Sequence, residues 1–182
     1  MDTSVIIVCA GNSTRMNGVN KILLSLGNCK VIGNTMKAFQ ECESVKEIII
    51  VARKQDIPEI KEEADKLGIS KLVNCVEGGN TRQQSVINGI RSISKDTKMV
   101  AIHDGARPLV KPEFIETAIK DARVFGGAAL GVPVKDTIKL VEGQFILIGA
   151  NTTIRVKYQL DEGENIEDYT FKCDGIAIEP VK

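Results

Sequence analysis

Arg15 and Lys21 follow a loop of small or hydroxylated residues, Gly11-Asn12-Ser13-Thr14, which closes an apolar, β-branched run from Val5 to Ala10. Such a loop lets backbone N–H groups approach an anion closely, and two cations just beyond it neutralise charge, so a phosphate is the natural ligand. Three later stretches carry polar groups in comparable settings. In Gly78-Gly79-Asn80-Thr81-Arg82-Gln83-Gln84-Ser85, paired glycines admit a flat ligand against the backbone. Ser85 then lies where it can bond a base edge, and Arg82 where it can brace the loop. In His103-Asp104-Gly105-Ala106-Arg107-Pro108, the aspartate can hold a ribose hydroxyl or Mg2+, and the arginine can grip a phosphate with its planar fork. In Pro133-Val134-Lys135-Asp136-Thr137-Ile138-Lys139, Thr137 can bond a phosphate oxygen. Singly, each stretch also reads as an ordinary turn, cap or strand edge. His103 is the sole histidine, alternation sets it on the opposite face from Asp104, and a hydrogen-bonded core role is expected for it.

The elements that must position these groups follow from the apolar pattern. Runs at Val5–Ala10, Glu47–Arg53, Lys71–Gly79, Met99–Asp104 and Gly126–Val134 read as five buried strands. Between them lie helical patterns. Asn34 is the expected cap of the first, with Met36 and Phe39 inward. Pro58 opens the second, with Ile57, Ile60, Ala64 and Leu67 inward. Asn80 and Gln83 fit a capping box for the third, whose inward face is expected to be Val86, Ile87, Ile90 and Ile93. Pro112 opens the fourth, with Ile115 and Ile119 inward. Alternating strands and helices predict an α/β domain with a mainly parallel sheet and helices on both faces. Such sheets bind ligands at the carboxyl ends of their strands, where all four polar stretches fall. From about Lys135 the texture turns to short β-prone runs. The expected organisation is an α/β domain over residues 1–142 and an antiparallel hairpin or meander appendage over 143–182.

Composition excludes several alternatives. The 182 residues carry 24 cations and 24 anions, so no bulk field favours nucleic acid or a membrane, and an anion site must be local. The opening apolar run is too short to span a bilayer and follows no basic segment. Five scattered cysteines without a C-x-x-C pair indicate reduced thiols, and a cytoplasmic protein is expected. Neither G-x-x-x-x-G-K-[ST] nor G-x-G-x-x-G occurs, so a P-loop or a standard dinucleotide fingerprint is excluded.

The order V-C-A-G-N-S-T-R-M with Lys21, G-G-N-T-R-Q-Q-S-V, H-D-G-A-R-P and P-V-K-D-T-I-K resembles the 2-C-methyl-D-erythritol 4-phosphate cytidylyltransferases of the non-mevalonate isoprenoid pathway. The ribitol-5-phosphate cytidylyltransferases share the framework, but the unbroken P-V-K-D-T-I-K is closer to the methylerythritol enzymes. The resemblance implies a Rossmann-like domain and an enzyme that transfers CMP from CTP to a polyol phosphate with Mg2+ or another divalent cation. It implies that Ala10, Gly11 and Asn12 line the CTP site and that Arg15 and Lys21 stabilise charge on the α-phosphate. Gly79, Asn80 and Ser85 would read cytosine with Arg82 shaping their loop, and Asp104 and Gly105 would lie by the ribose. Arg107 and Thr137 would hold the methylerythritol phosphate, Thr137 from the neighbouring subunit of a homodimer.

Beyond about Gln144 the family's pattern is not matched. Its Gln-Thr-Pro-Gln segment and its late Asn-Ile-Lys-[Ile/Val]-Thr motif do not occur, and Asn165-Ile166-Glu167 has an acid where that lysine would stand. A CTP-binding homologue with little turnover is therefore the alternative expectation.

Overall fold

Val5, Ile6 and Ile7 are fully buried, because the strand they form, β1 (Thr3–Val8), has a parallel neighbour on each side and helices above and below. The computed structural model describes residues 2–11, 20–131, 135–141, 144–150, 172–173 and 176–177. The chain divides into two compact units, Met1–Gly126 and Gly127–Lys182.

In the first unit, β1 is followed by a 3-10 turn (Lys21–Leu23) and by the short strands β2 (Ser25–Leu26) and β3 (Cys29–Lys30). Next come α1 (Val31–Gln40), β4 (Val45–Ala52), α2 (Ile57–Lys66) and β5 (Leu72–Glu77). The unit closes with α3 (Arg82–Ile90), β6 (Met99–Asp104) and α4 (Pro112–Phe125). The long strands are parallel in the order β5-β4-β1-β6. Numbered among themselves, these four run 3-2-1-4, the Rossmann order, whose switch point lies between β1 and β6.

One face of the sheet carries α1, α2 and α4 over a core of Val5, Ile7, Ile48 and Ile50 packed with Met36, Phe39, Ile60, Ile115 and Ile119. Each such buried aliphatic or aromatic side chain contributes roughly 1.5–3 kcal/mol relative to exposure. Helix α3 covers the other face. Its Gly89 lies so close to the sheet that a Cβ there would come 2.6 Å from Ile6 Cγ2 and 3.0 Å from Val51 Cγ2.

Three expectations are corrected. Residues 127–131 form no strand, and 132–134 lie outside the described residues. The expected fifth strand is rich in glycine and alanine, which give a strand little to pack, and Gly126 ends α4 in the left-handed region (φ 82°). Asn34 is no cap: α1 already starts at Val31, and the Asn34 amide donates to the carbonyls of Leu26 and Lys30. The inward residues of α3 are Ser85 and Gly89, while Ile87 and Ile90 remain over two-fifths exposed. Close helix–sheet contact at a glycine decided this face, rather than the row of large apolar residues.

In the second unit, β7 (Lys135–Val141) and β8 (Gln144–Ala150) pair antiparallel from Lys135 opposite Ala150 to Val141 opposite Gln144. A further pair, β9 (Lys172–Cys173) and β10 (Ile176–Ala177), is also antiparallel. An antiparallel hairpin was expected in this part of the chain, but β7 lies before residue 142, inside the span expected to belong to the α/β domain.

Candidate functional site

The strands of a parallel sheet end together, so the loops after β1, β4, β5 and β6 gather over one edge. In the first unit they enclose a cleft of about 1010 Å³. Ala10 and Gly11 line it after β1, Arg53 and Lys54 after β4, Gly78 to Arg82 after β5, and Asp104 and Arg107 after β6. Lys21 enters from the 3-10 turn. Lys21, Arg53, Lys54, Arg82 and Arg107 face only Glu77 and Asp104 among the described lining residues, so the cleft is locally cationic in a chain of zero net charge. Field lines focus in such a cleft and favour an anionic ligand.

The β5–α3 loop is held in a definite shape. Gly78 N–H donates to the Ala52 carbonyl (2.9 Å), extending the β4–β5 ladder by one step. A Cβ on Gly78 would sit 2.2 Å from that of Ala10, so the loops after β1 and β5 touch through a position only glycine can fill. Ser85, 2% exposed, accepts from Gly79 N–H (3.0 Å) and donates to the Thr81 carbonyl (3.0 Å). The N-cap of α3 is Thr81, whose Oγ1 accepts from Gln84 N–H (3.1 Å), and not Asn80 as the sequence pattern indicated. Asn80 N–H instead donates to Gln84 Oε1 (2.9 Å). The cap is thus shifted one residue along, because Thr81 already has the extended backbone a cap requires, and the Gln84 side chain reaches past it to the preceding residue.

Across the cleft, Asp104 accepts from Arg82 (Nη2 to Oδ1, 3.1 Å) and from Arg107 (Nε to Oδ2, 3.1 Å). Partial burial pushes its carboxyl pKa up, but the two guanidinium groups outweigh this and hold it below the ordinary aspartate value. Gly105 lies beneath the lining rather than in it. It is buried, its N–H donates to the Val8 carbonyl (2.9 Å), and a Cβ would meet Cys9 and Ile32 at 3.1 Å. His103 points to the opposite face. Its Nε2 is 3.2 Å from the Arg107 carbonyl, and its ring meets Phe39 edge-on at 5.0 Å. Burial lowers its pKa, so it is neutral at pH 7 with the proton on Nε2, since a carbonyl only accepts. It packs and anchors the Arg107 loop.

Arg53 was not legible as a site residue. Its guanidinium forms a two-pronged pair with buried Asp56 (Nε to Oδ2, 2.6 Å; Nη2 to Oδ1, 3.1 Å), which fixes the β4–α2 corner of the cleft. The one sequence signal was a pair of cations at the end of a buried strand. Cys9 beneath the cleft is 7% exposed, and burial raises its thiol pKa far above the usual value, so it is a small core side chain and not a nucleophile. Asn12 and Arg15 lie outside the described residues. Thr137 is in β7 of the second unit, opposite Ile148.

Among the described residues, no group of three or more His, Cys, Asp or Glu side chains is placed to hold a metal ion. Asp104 is nonetheless a carboxylate beside a cationic cleft, and Mg2+ commonly takes one or two carboxylates with the remaining ligands from phosphate and water. Both Asp104 oxygens are engaged by Arg82 and Arg107, so an ion arriving on a polyphosphate would take Asp104 as a ligand only by displacing one of them.

Four parallel strands in Rossmann order, with a cation-lined cleft over their carboxyl ends, place this chain among the doubly wound α/β domains, with the cleft at the switch point. The family model of 2-C-methyl-D-erythritol 4-phosphate cytidylyltransferase matches residues 3–156, and the chain belongs to that family. The match runs past Gln144, where the motif pattern stops being readable. The 2-C-methyl-D-erythritol 4-phosphate cytidylyltransferase of Caldanaerobacter subterraneus subsp. tengcongensis is 49% identical over 150 residues, covering 81% of this chain and 66% of that protein. The enzyme of the same name from Clostridium novyi is 43% identical over 138 residues, covering 75% and 59%. The chain thus spans about three-fifths to two-thirds of the length of these relatives. The crystal structure of the 4-diphosphocytidyl-2C-methyl-D-erythritol synthase from Anaerococcus prevotii has the same fold, with a TM-score of 0.59 at 22% identity, covering 98% of this chain and 68% of that one. Among the described residues no helix is long and apolar enough to cross a membrane.

Proposed function

We propose that this chain is a cytidylyltransferase that moves CMP from CTP to 2-C-methyl-D-erythritol 4-phosphate and releases pyrophosphate. The observation that carries the reading is the cationic switch-point cleft, walled on one side by the Gly78–Ser85 loop, in a member of this family. Ala10, Gly11, Gly79, Asn80 and Ser85 receive the cytidine part, and Arg82 holds their loop toward Asp104 beside the ribose. Arg107 takes the substrate phosphate, with Thr137 contributed by a second copy in a homodimer.

A phosphate oxygen of the substrate attacks the α-phosphorus of CTP in line. The new P–O bond forms as the bond to the bridging oxygen breaks, and pyrophosphate leaves. The attacking phosphate is already ionised, so no covalent enzyme intermediate and no strong general base are needed. The chain's own contribution is positioning and neutralisation of developing negative charge by Lys21 and Arg15. A divalent cation, if held by the triphosphate and Asp104, would supply charge neutralisation for the leaving pyrophosphate. A cytoplasmic setting accords with the thiols of Cys9, Cys29, Cys42 and Cys75, which are free.

The test is incubation with CTP, Mg2+ and either the methylerythritol phosphate or ribitol 5-phosphate, followed by mass spectrometry of the products. A cytidine diphosphate ester of methylerythritol supports the reading. The corresponding ester formed only from ribitol 5-phosphate, or no ester, opposes it.

A further inference from the structure

The two peptide groups between Gly78 and Asn80 are both pinned from the same side. Gly79 N–H is bonded to Ser85 Oγ (3.0 Å), and Asn80 N–H to Gln84 Oε1 (2.9 Å). The two acceptors are held differently: Ser85 through its own hydroxyl, Gln84 through its backbone at the helix cap. Ser85 gives its own proton to the Thr81 carbonyl (3.0 Å), and the Gln84 backbone is held by Thr81 Oγ1 (3.1 Å). Gly79 fits against this support only without a Cβ, which would sit 2.3 Å from that of Gln84. In a trans peptide the carbonyl points opposite to its N–H. The carbonyls of Gly78 and Gly79 are therefore turned away from the start of α3, and among the described residues no protein group donates to them. Gly78, Gly79 and Asn80 line the cleft, whereas Gln84 stands behind them.

We infer that Gln84 is a positioning residue that keeps this wall of the cleft acceptor-only and thereby selects a base whose exocyclic group donates. The inference rests on the reading of the cleft as a pyrimidine-nucleotide site. Cytosine offers an amino group to a carbonyl wall; uracil offers a carbonyl oxygen, which the wall repels. Without an acceptor at residue 84, Asn80 N–H loses its partner. Gly79 gives that peptide the freedom to turn over, and the turned peptide presents an N–H to uracil. Gln84 is exposed at the first turn of α3, so its replacement leaves the core untouched.

The experiment is calorimetric titration of the full chain with CTP and with UTP, each with Mg2+, for wild type, Gln84→Met, Gln84→Ala and Gln84→Glu. The two acceptor-free variants are expected to lose about tenfold of the CTP-over-UTP preference, the effect of one hydrogen-bond contrast. Gln84→Glu keeps an acceptor and is expected to hold the wild-type ratio within about twofold. Thermal melts establish that each variant is folded. A folded acceptor-free variant with an unchanged ratio overturns the inference alone, as does an equal loss of both affinities, which would mark Gln84 as merely structural. Wild type that binds neither nucleotide overturns the nucleotide reading and this inference together.

Discussion

Arg82 Nη2 lies 3.1 Å from Asp104 Oδ1, so the first residue of α3 is tied to the last residue of β6 across the mouth of the cleft. The other carboxylate oxygen of Asp104 holds Arg107. One carboxylate therefore sets the spacing of two arginines, one on the nucleotide side and one on the side assigned to the acceptor phosphate. Asp104→Asn preserves shape but removes the charge that both guanidinium groups answer. It should lower kcat/KM for pyrophosphate release by about tenfold to a hundredfold, in line with roughly 1.5–3 kcal/mol for a hydrogen bond to a charged group. Steady-state kinetics with the acceptor varied and CTP saturating measures it.

The same pair fixes an acid limit. The folded-state pKa of Asp104 is depressed, so its ion pairs contribute above the unfolded aspartate value of 3.8 and are lost as pH falls through the lower folded value. Above pH 5 the rate profile should show no limb from Asp104. A limb that disappears in Asp104→Asn would contradict this.

His103 adds a trend of the same sign in a higher pH window. Its folded pKa lies below the ordinary histidine value of 6.5, chiefly because it is buried. The unfolded chain therefore binds more protons than the folded one between the folded value and about 6.5, and stability rises with pH across that window. Melting temperature should fall as pH drops from 7.5 toward 5.5. His103→Asn should melt lower overall but with a shallower pH slope. Parallel slopes for the two proteins would rule out His103 as the titrating group.

Gly89 and Gly78 carry steric predictions. Gly89→Ala must move Ile6 or Val51, both fully buried, and should cost about 1–3 kcal/mol in denaturant unfolding, as overpacked cores do. Gly78→Ala pushes against Ala10 at the cleft itself, so it should weaken CTP binding more than it lowers stability. Calorimetry and unfolding on the same samples separate these two effects.

Lys21 is exposed at the rim and forms no ion pair among the described residues. A cation that acts on charge developing at the α-phosphorus should matter most in the transition state. Lys21→Ala and Arg15→Ala should each reduce kcat far more than CTP affinity, read by pairing turnover with calorimetry. Equal losses would make them binding residues only.

The sheet was largely legible because buried strands announce themselves: Val5–Ile7 and Ile48–Val51 are unbroken apolar runs and all are fully buried. Helices α2 and α4 were legible from period and proline, and Ile60, Ala64, Ile115 and Ile119 are buried as their spacing implied. What the sequence concealed depended on contacts between distant segments. The inward face of α3 is set by the fit of Gly89 against Ile6, which no helical period records. Glu47 looks like a polar interruption near a strand start, yet it is 4% exposed and accepts from Ser4 Oγ (2.6 Å), Ser94 N–H (2.8 Å) and Ser94 Oγ (2.5 Å). In the cleft, motif residues such as Asp104 and Ser85 could be named in advance because their types and loop settings are distinctive. Arg53 and Gln84 could not, since their roles lie in what they hold, Asp56 and Asn80.

The central claim is that the cleft transfers CMP to a methylerythritol phosphate, and pyrophosphate release measures that most directly. The full chain is mixed with CTP and Mg2+ and given 2-C-methyl-D-erythritol 4-phosphate, ribitol 5-phosphate or no acceptor. Release is expected with the methylerythritol phosphate, and only background in the other two reactions. CTP binding by calorimetry without release for either acceptor would contradict it and leave a nucleotide-binding protein in its place.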